Sequence, residues 1–300
     1  MQVLLAVDQS RDAQLAARFL KRVRLPRGAV LWMVHVAGIP YAVSRFPGKQ
    51  RLLAAWRKDT AMRARRLIDR LAPPLRVQGI KVRLLVKEGS AGPVLLDTAE
   101  RGRVDLTVLG PHGYSRLMRF LLGSVSELLL NEAPTSVLIV RDGPRSPRDR
   151  GMNVVFAVDF SEDAKRAAGF LCRLSLPPGS RVMLLHVEER EDRMPARISG
   201  LGRIDVAQAI KRSMRERKRR VAMLERIGDQ VARLGTAVDH IFAKGDPAEE
   251  ILRVAERRRA DLIVMGSKGL TGLDRYLLGS VSRKVARHAS CSVLVVRRRK

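Results

Sequence analysis

Two stretches of the chain repeat one arrangement of glycine and serine. Gly110-Pro111-His112-Gly113 is followed, nine residues later, by Gly123-Ser124-Val125-Ser126; Gly266-Ser267-Lys268-Gly269 is followed at the same distance by Gly279-Ser280-Val281-Ser282. Each set begins directly after a short apolar run. Glycines there let backbone amides approach an anion with no Cβ in the way. A Gly-Ser pair that opens a helix adds free N–H groups and a positive dipole end, which suit phosphate, and the serine hydroxyls add donors. Asp8 and Asp159 close the first apolar run of each half. A carboxylate at that point can take a nucleoside hydroxyl or amine, or it can cap the first helix. Glycines and serines of this kind also make plain tight turns; their twofold recurrence at identical spacing favours a binding role.

The elements that must position these residues recur as well. Residues 3–36 match 154–187 at an offset of 151, pairing Asp8 with Asp159, Ser10 with Ser161, Asp12 with Asp163 and His35 with His186. Further on the offset is 156, pairing Gly89 with Gly245, Asp105 with Asp261 and the two glycine-serine sets with each other. A period this long is a duplicated domain rather than a solenoid. The reading is a first domain over 1–142, a breaker-rich linker over 143–151 and a second domain over 152–300. In the first half, apolar runs at 3–7, 29–36, 81–86, 106–109 and 136–140 predict buried strands, with helices near 10–24, 49–71, 92–101 and 123–131. Ser10 and Ser161 sit where N-caps belong. Alternating strands and helices imply a doubly wound α/β domain, with a five-stranded parallel sheet and helices on both faces. The second half has a longer helix near 204–234. Val206, Ile210, Met214, Val221, Leu224, Ile227, Val231 and Leu234 form its apolar stripe, and lysines and arginines crowd the rest.

The chain has 300 residues and a formal net charge of +28; 27 of its 58 basic and 12 of its 30 acidic residues lie in the first 150 positions. The excess is therefore no basic tail. It attracts nucleic acid or anionic surfaces, or simply solvates the protein. Aromatics make up 4%, which argues against base stacking as the main activity. No run approaches the ~18 apolar residues of a membrane span, and no leader pattern follows Met1, so a cytoplasmic protein is expected. Cys172 and Cys291 supply neither a disulfide framework nor a four-ligand zinc site. His35 and His186 are expected to pack or bond to backbone. The chain has no G-x-x-x-x-G-K-[ST] loop, and no Ser-His-Asp set or acid/base pair assembles from the repeats.

The strand-terminal aspartate, the Gly-x-x-Gly and Gly-Ser-Val-Ser sets and the closing 292–296 strand resemble the universal stress protein family, in its ATP-binding branch, over nearly the whole chain twice. The resemblance implies a strand order of 3-2-1-4-5 and ATP in the crevice, with Mg²⁺ or Mn²⁺. It places Asp8 and Asp159 on the adenosine and the backbone of Val36 and Val187 on the adenine. Gly110, Gly113, Gly266 and Gly269 would flank ribose and phosphates, with Gly123, Ser124, Ser126, Gly279, Ser280 and Ser282 on the phosphates. It also implies that 136–140 and 292–296 pair the halves as an internal pseudo-dimer, with a homodimer as a further possibility. An ATP-binding regulator is the leading expectation; a slow ATPase or self-phosphorylating enzyme and a nucleic-acid-associated stress factor are the alternatives. Pro111 lacks the N–H that Ser267 keeps, so the second site is expected to bind more tightly.

Overall fold

The computed structural model describes residues 1–39, 49–76, 79–112, 122–143, 151–189, 203–268 and 278–298; Gly113 and Gly269 lie outside them. The first half runs β1 (Gln2–Ala6), α1 (Arg11–Arg22), β2 (Val30–Ala37), α2 (Lys49–Leu71), the single turn α3 (Pro73–Arg76), β3 (Lys81–Glu88), α4 (Ala91–Arg101), β4 (Leu106–Leu109), α5 (Ser124–Glu132) and β5 (Ser136–Ile139). The second runs β6 (Asn153–Ala157), α6 (Glu162–Leu171), β7 (Arg181–Glu188), α7 (Arg203–Ala232), β8 (Ala237–Lys244), α8 (Pro247–Arg257), β9 (Leu262–Gly266), α9 (Ser280–His288) and β10 (Ser292–Val296).

The strands lie in the order β3-β2-β1-β4-β5-β10-β9-β6-β7-β8. Each half is parallel in the expected 3-2-1-4-5 order. The two sheets join antiparallel across β5 and β10, where Leu138 faces Leu294. Those leucines are repeat counterparts, so a pseudo-twofold axis passes between them.

Near-continuous Val, Ile and Leu runs bury both faces of such a sheet. Val3, Leu5, Val154 and Phe156 pack with α1, α2, α6 and α7 in one apolar layer. Leu4 and Val155 pack with α4, α5, α8 and α9 in the other.

Polar contacts across the axis are reciprocal. Arg22 meets Asp261 at 3.3 Å and its counterpart Arg173 meets Asp105 at 3.8 Å. Arg24 and Ser175, also counterparts, exchange backbone hydrogen bonds at 2.9 Å.

The long helix departs from expectation. Leu224, Ile227 and Val231 are buried, but Met214 and Val221 of the same stripe are exposed, and the side chains of Val206 and Ile210 lie outside the described residues.

Helix α8 has a full N-cap: the Asp246 carboxylate accepts the Glu249 N–H at 2.9 Å and Pro247 follows it. At the matching position, Ser90 makes no side-chain cap bond. The Glu249 amide holds the Asp246 carboxyl below its ordinary range, with Lys284 assisting. A depressed folded pKa gives stability that is present at neutral pH and lost as pH falls through that folded value. Asp246→Ala is expected to cost about 1 kcal/mol at pH 7 and progressively less on acidification. Asp246→Asn keeps the cap and removes the pH dependence. Urea denaturation at pH 7 and again well below the carboxylate range measures both.

Candidate functional site

In each half the strand order reverses at the first strand, between its neighbours β2 and β4 or β7 and β9. Ligands of open α/β sheets collect beyond the carboxyl ends of the strands at that point. The described residues of the glycine-serine sets follow the carboxyl ends of β4 and β9, Gly110 and Gly266 directly after or at the strand end and Gly123 and Gly279 at the helix starts, forming one mouth per half.

Asp8 and Asp159 sit two residues past the ends of β1 and β6. Asp8 Oδ1 accepts the Ser10 N–H at 2.9 Å and the Ser10 hydroxyl, and Ser10 Oγ in turn accepts the Ala13 N–H at 3.2 Å. Asp159 repeats this with the Ser161 N–H at 3.0 Å and hydroxyl at 2.6 Å, and Ser161 caps α6 through Ala164. Each aspartate thus braces the capping serine rather than capping the helix itself. Its second carboxylate oxygen takes none of these bonds.

Imidazole Nδ1 of His35 lies 2.9 Å from the Val7 carbonyl, and that of His186 lies 2.9 Å from the Val158 carbonyl. These backbone bonds fix the peptide just before each aspartate, as expected of both histidines. The last β1–β2 pair is Ala6 with Val34, whereas Val36 pairs only with β3. Val187 stands likewise beside β8, past the end of β6. The opposite backbone edge of each valine has no strand partner among the described residues.

Gly110 and Gly266 are demanded by packing. A Cβ on Gly110 would lie 2.4 Å from Asp12 Cβ, and one on Gly266 would lie 2.8 Å from Asp163 Cβ. The first turns of α1 and α6 press directly on the ends of β4 and β9. Asp12 and Asp163 then clamp the turn: Asp12 Oδ2 accepts the His112 N–H at 3.3 Å, and Asp163 Oδ2 accepts the Ser267 hydroxyl at 2.7 Å. The repeat alignment showed these aspartates as a pair, but their role was missed. The signal lay in an acid two residues after each capping serine.

Gly123 and Gly279 are the N-caps of α5 and α9, with no side chain to cap them. Their own N–H groups donate to the Pro111 carbonyl at 2.7 Å and the Ser267 carbonyl at 2.9 Å. Ser126 and Ser282 are buried, and their hydroxyls donate to the Gly110 carbonyl at 2.8 Å and the Gly266 carbonyl at 3.0 Å. These four contacts draw each helix start onto the preceding turn. Ser124 and Ser280, the first residues of their helices, are exposed. The first-turn amides at 124–126 and 280–282 have no protein acceptor among the described residues.

The reason for ranking the second mouth above the first fails. The Ser267 N–H bonds to the Val296 carbonyl at 2.9 Å, within the sheet. Pro111 therefore removes a sheet bond and no donor to a ligand. The mouths differ instead at His112, whose Nε2 is buried with no partner among the described residues, against Lys268 in the second copy.

Two doubly wound α/β units thus stand in tandem in one chain, each with an aspartate past the end of its first strand and a helix start capped by glycine. The family model for universal stress proteins matches residues 1–141 and 152–297, and the chain belongs to that family. A Mycolicibacterium smegmatis universal stress protein is 27% identical over 303 residues, covering 99% of this chain and 97% of that one. Universal stress protein YxiE of Bacillus subtilis is 31% identical over 146 residues, covering 48% of this chain and 97% of YxiE. The crystal structure of a universal stress protein from Archaeoglobus fulgidus shares the fold with a TM-score of 0.64 at 21% identity, covering 99% of this chain and 98% of that one.

Proposed function

We propose that each mouth binds the phosphates of ATP at the start of α5 or α9, and that the bound nucleotide regulates the protein's contacts in a stress response. The observation that carries this reading is the pair of glycine-capped helix starts whose first-turn amides have no protein acceptor among the described residues. Helix starts of this kind bind anions through N–H groups and the dipole together. Exposed Ser124 and Ser280 add hydroxyls to the phosphates. Buried Ser126 and Ser282 keep their helix starts aimed through the Gly110 and Gly266 carbonyls. The second carboxylate oxygens of Asp8 and Asp159 take the ribose or the adenine amine, and the edges of Val36 and Val187 meet the base. No group of three acids, histidines or cysteines among the described residues is arranged for a metal; a divalent ion would ride on the nucleotide's phosphates.

The test is charge reversal where the fold tolerates it. Glutamate in the first turn suits a helix dipole but repels phosphate. Titration calorimetry with Mg·ATP is expected to show two sites in the native protein. One site should remain after Ser280→Glu or Ser124→Glu, and none after both, each lost site weakening by at least about tenfold. Melting temperatures without nucleotide stay level or rise. Native-like binding by the double variant ends this reading.

A further inference from the structure

The outer edge of the second half carries a surface that nucleotide binding does not use. Within α7, Lys211, Met214, Lys218 and Val221 follow one another at steps of three, four and three, so they share a helical face. All four are exposed, Met214 by 62% and Val221 by 42%. Exposed Arg212, Arg215 and Arg219 fill the adjoining face, and the stripe ends at the exposed acid Glu225. These lysines and arginines have no acidic partner among the described residues.

Strand β8 is one of the two edges of the sheet among the described residues, and its Phe242 is 65% exposed. Alternation puts Phe242 on the same strand face as His240, which lies against Gly228 of α7. The short connection at 233–236 makes α7 antiparallel to β8, so the step from His240 to Phe242 leads toward Val221 and Met214. Lys244 closes the strand beside them, exposed.

The first half serves as an internal comparison. Glu88 stands where the second half has Lys244, and it pairs with Arg57 at 2.6 Å; Arg63 pairs with Asp59. Val86 stands at the Phe242 position and is half-buried. The exposed phenylalanine and the closing lysine on the edge strand are therefore particular to the second half, although α2 of the first half also exposes Leu52 and Met62.

We propose that this edge docks the protein on an anionic lipid bilayer, Phe242, Met214 and Val221 entering the headgroup boundary and the α7 cations meeting lipid phosphates. Cations with no acidic partner among the described residues call for an anionic partner, and exposed apolar side chains between them call for one with an apolar layer beneath its charge. A second copy would bring +28 against +28, and a nucleic acid would use the cations but not the trio.

Sedimentation of the full chain with vesicles of phosphatidylglycerol and phosphatidylcholine in equal parts tests this, with pure phosphatidylcholine as reference. Binding is expected only to the anionic vesicles, with a residue persisting at high salt. Lys211→Ser with Lys218→Ser should weaken it about twentyfold, and Phe242→Ser with Met214→Ser about tenfold. These side chains are exposed, so the melting temperature should not move. No binding to anionic vesicles overturns the proposal, as does complete release at high salt or indifference to the apolar pair. Two further outcomes overturn it: tighter binding to duplex DNA that depends only on the lysines, and a lipid-free dimer abolished by Phe242→Ser.

Discussion

Gly266→Val is expected to cost the protein about 3 kcal/mol, the scale of an overpacked core, and to abolish the nucleotide binding proposed for the second half. A Cβ at 266 would lie 2.8 Å from Asp163 Cβ, 3.0 Å from the Asp163 carbonyl carbon and 3.2 Å from the Ala164 nitrogen. Two of these three are backbone atoms of the first turn of α6. That turn cannot retreat cheaply, because Ser161 caps it while bonded to Asp159, and Asp163 is bonded to Ser267. Displacing it moves both walls of the mouth together. Gly110→Val meets Asp12 in the same way and should do the same to the first half. Gly169 is the control: it lies inside α6 with nothing within 4 Å of an added Cβ, so Gly169→Ala should stabilise by about 0.5–1 kcal/mol. Urea denaturation measures all three. A Gly266→Val loss within that of an ordinary surface substitution would mean that the glycine is not required by packing.

The positions of these glycines were legible in the sequence, and their cause was not. Spacing and duplication marked Gly110 and Gly266 as special and suggested approach by a ligand. The atoms that crowd them belong to Asp12 and Asp163, about a hundred residues away in the chain, and no local pattern reports such a contact. Strand order, element positions and the serine caps followed from apolar runs and repeats because these are short-range consequences of composition. The apolar stripe on α7 shows a limit of the same reasoning. Periodicity tells which residues share a face, not how far the neighbouring sheet extends. Thirty helical residues span about 45 Å, whereas the eight residues of β8 cover about 26 Å. The N-terminal part of α7 runs past the strand, so Met214, about 27 Å from the helix end, passes from predicted core to surface. Val221 lies within the strand's reach, and helix length does not account for its exposure. The reading of Pro111 failed for a related reason. An N–H missing from the sequence matters only through the acceptor it would have met, and that acceptor is the Val296 carbonyl in the sheet.

The seam between halves makes the last expectation. Only three residue pairs join β5 to β10, so the arginines that end each half bear on the junction. Arg141 and Arg297 are repeat counterparts, and each donates its backbone N–H to a serine of the opposite half, Ser292 at 3.2 Å and Ser136 at 3.3 Å. Their side chains are unequal. Arg297 donates to the carbonyls of Leu130, Asn131 and Ala133 at the end of α5, where unpaired carbonyls and the dipole both favour a cation. Arg141 reaches one carbonyl, that of Arg287 at 3.2 Å, and its Nη1 has no partner among the described residues. Burial lowers both guanidiniums to about 10, so both stay charged at neutral pH. A base whose folded pKa is depressed is held at a cost there, relieved only as pH rises past the folded value. The stabilisation must therefore come from the acceptors, and Arg297 has three against one. Arg297→Ala is expected to cost about 3 kcal/mol and Arg141→Ala about 1 kcal/mol, with Arg297→Lys between them because it keeps the charge and loses the fork. Loosening the seam should also split denaturant unfolding into two steps as the halves lose their shared transition. Equal losses for the two alanine variants would show that the carbonyls of α5 do not hold the junction.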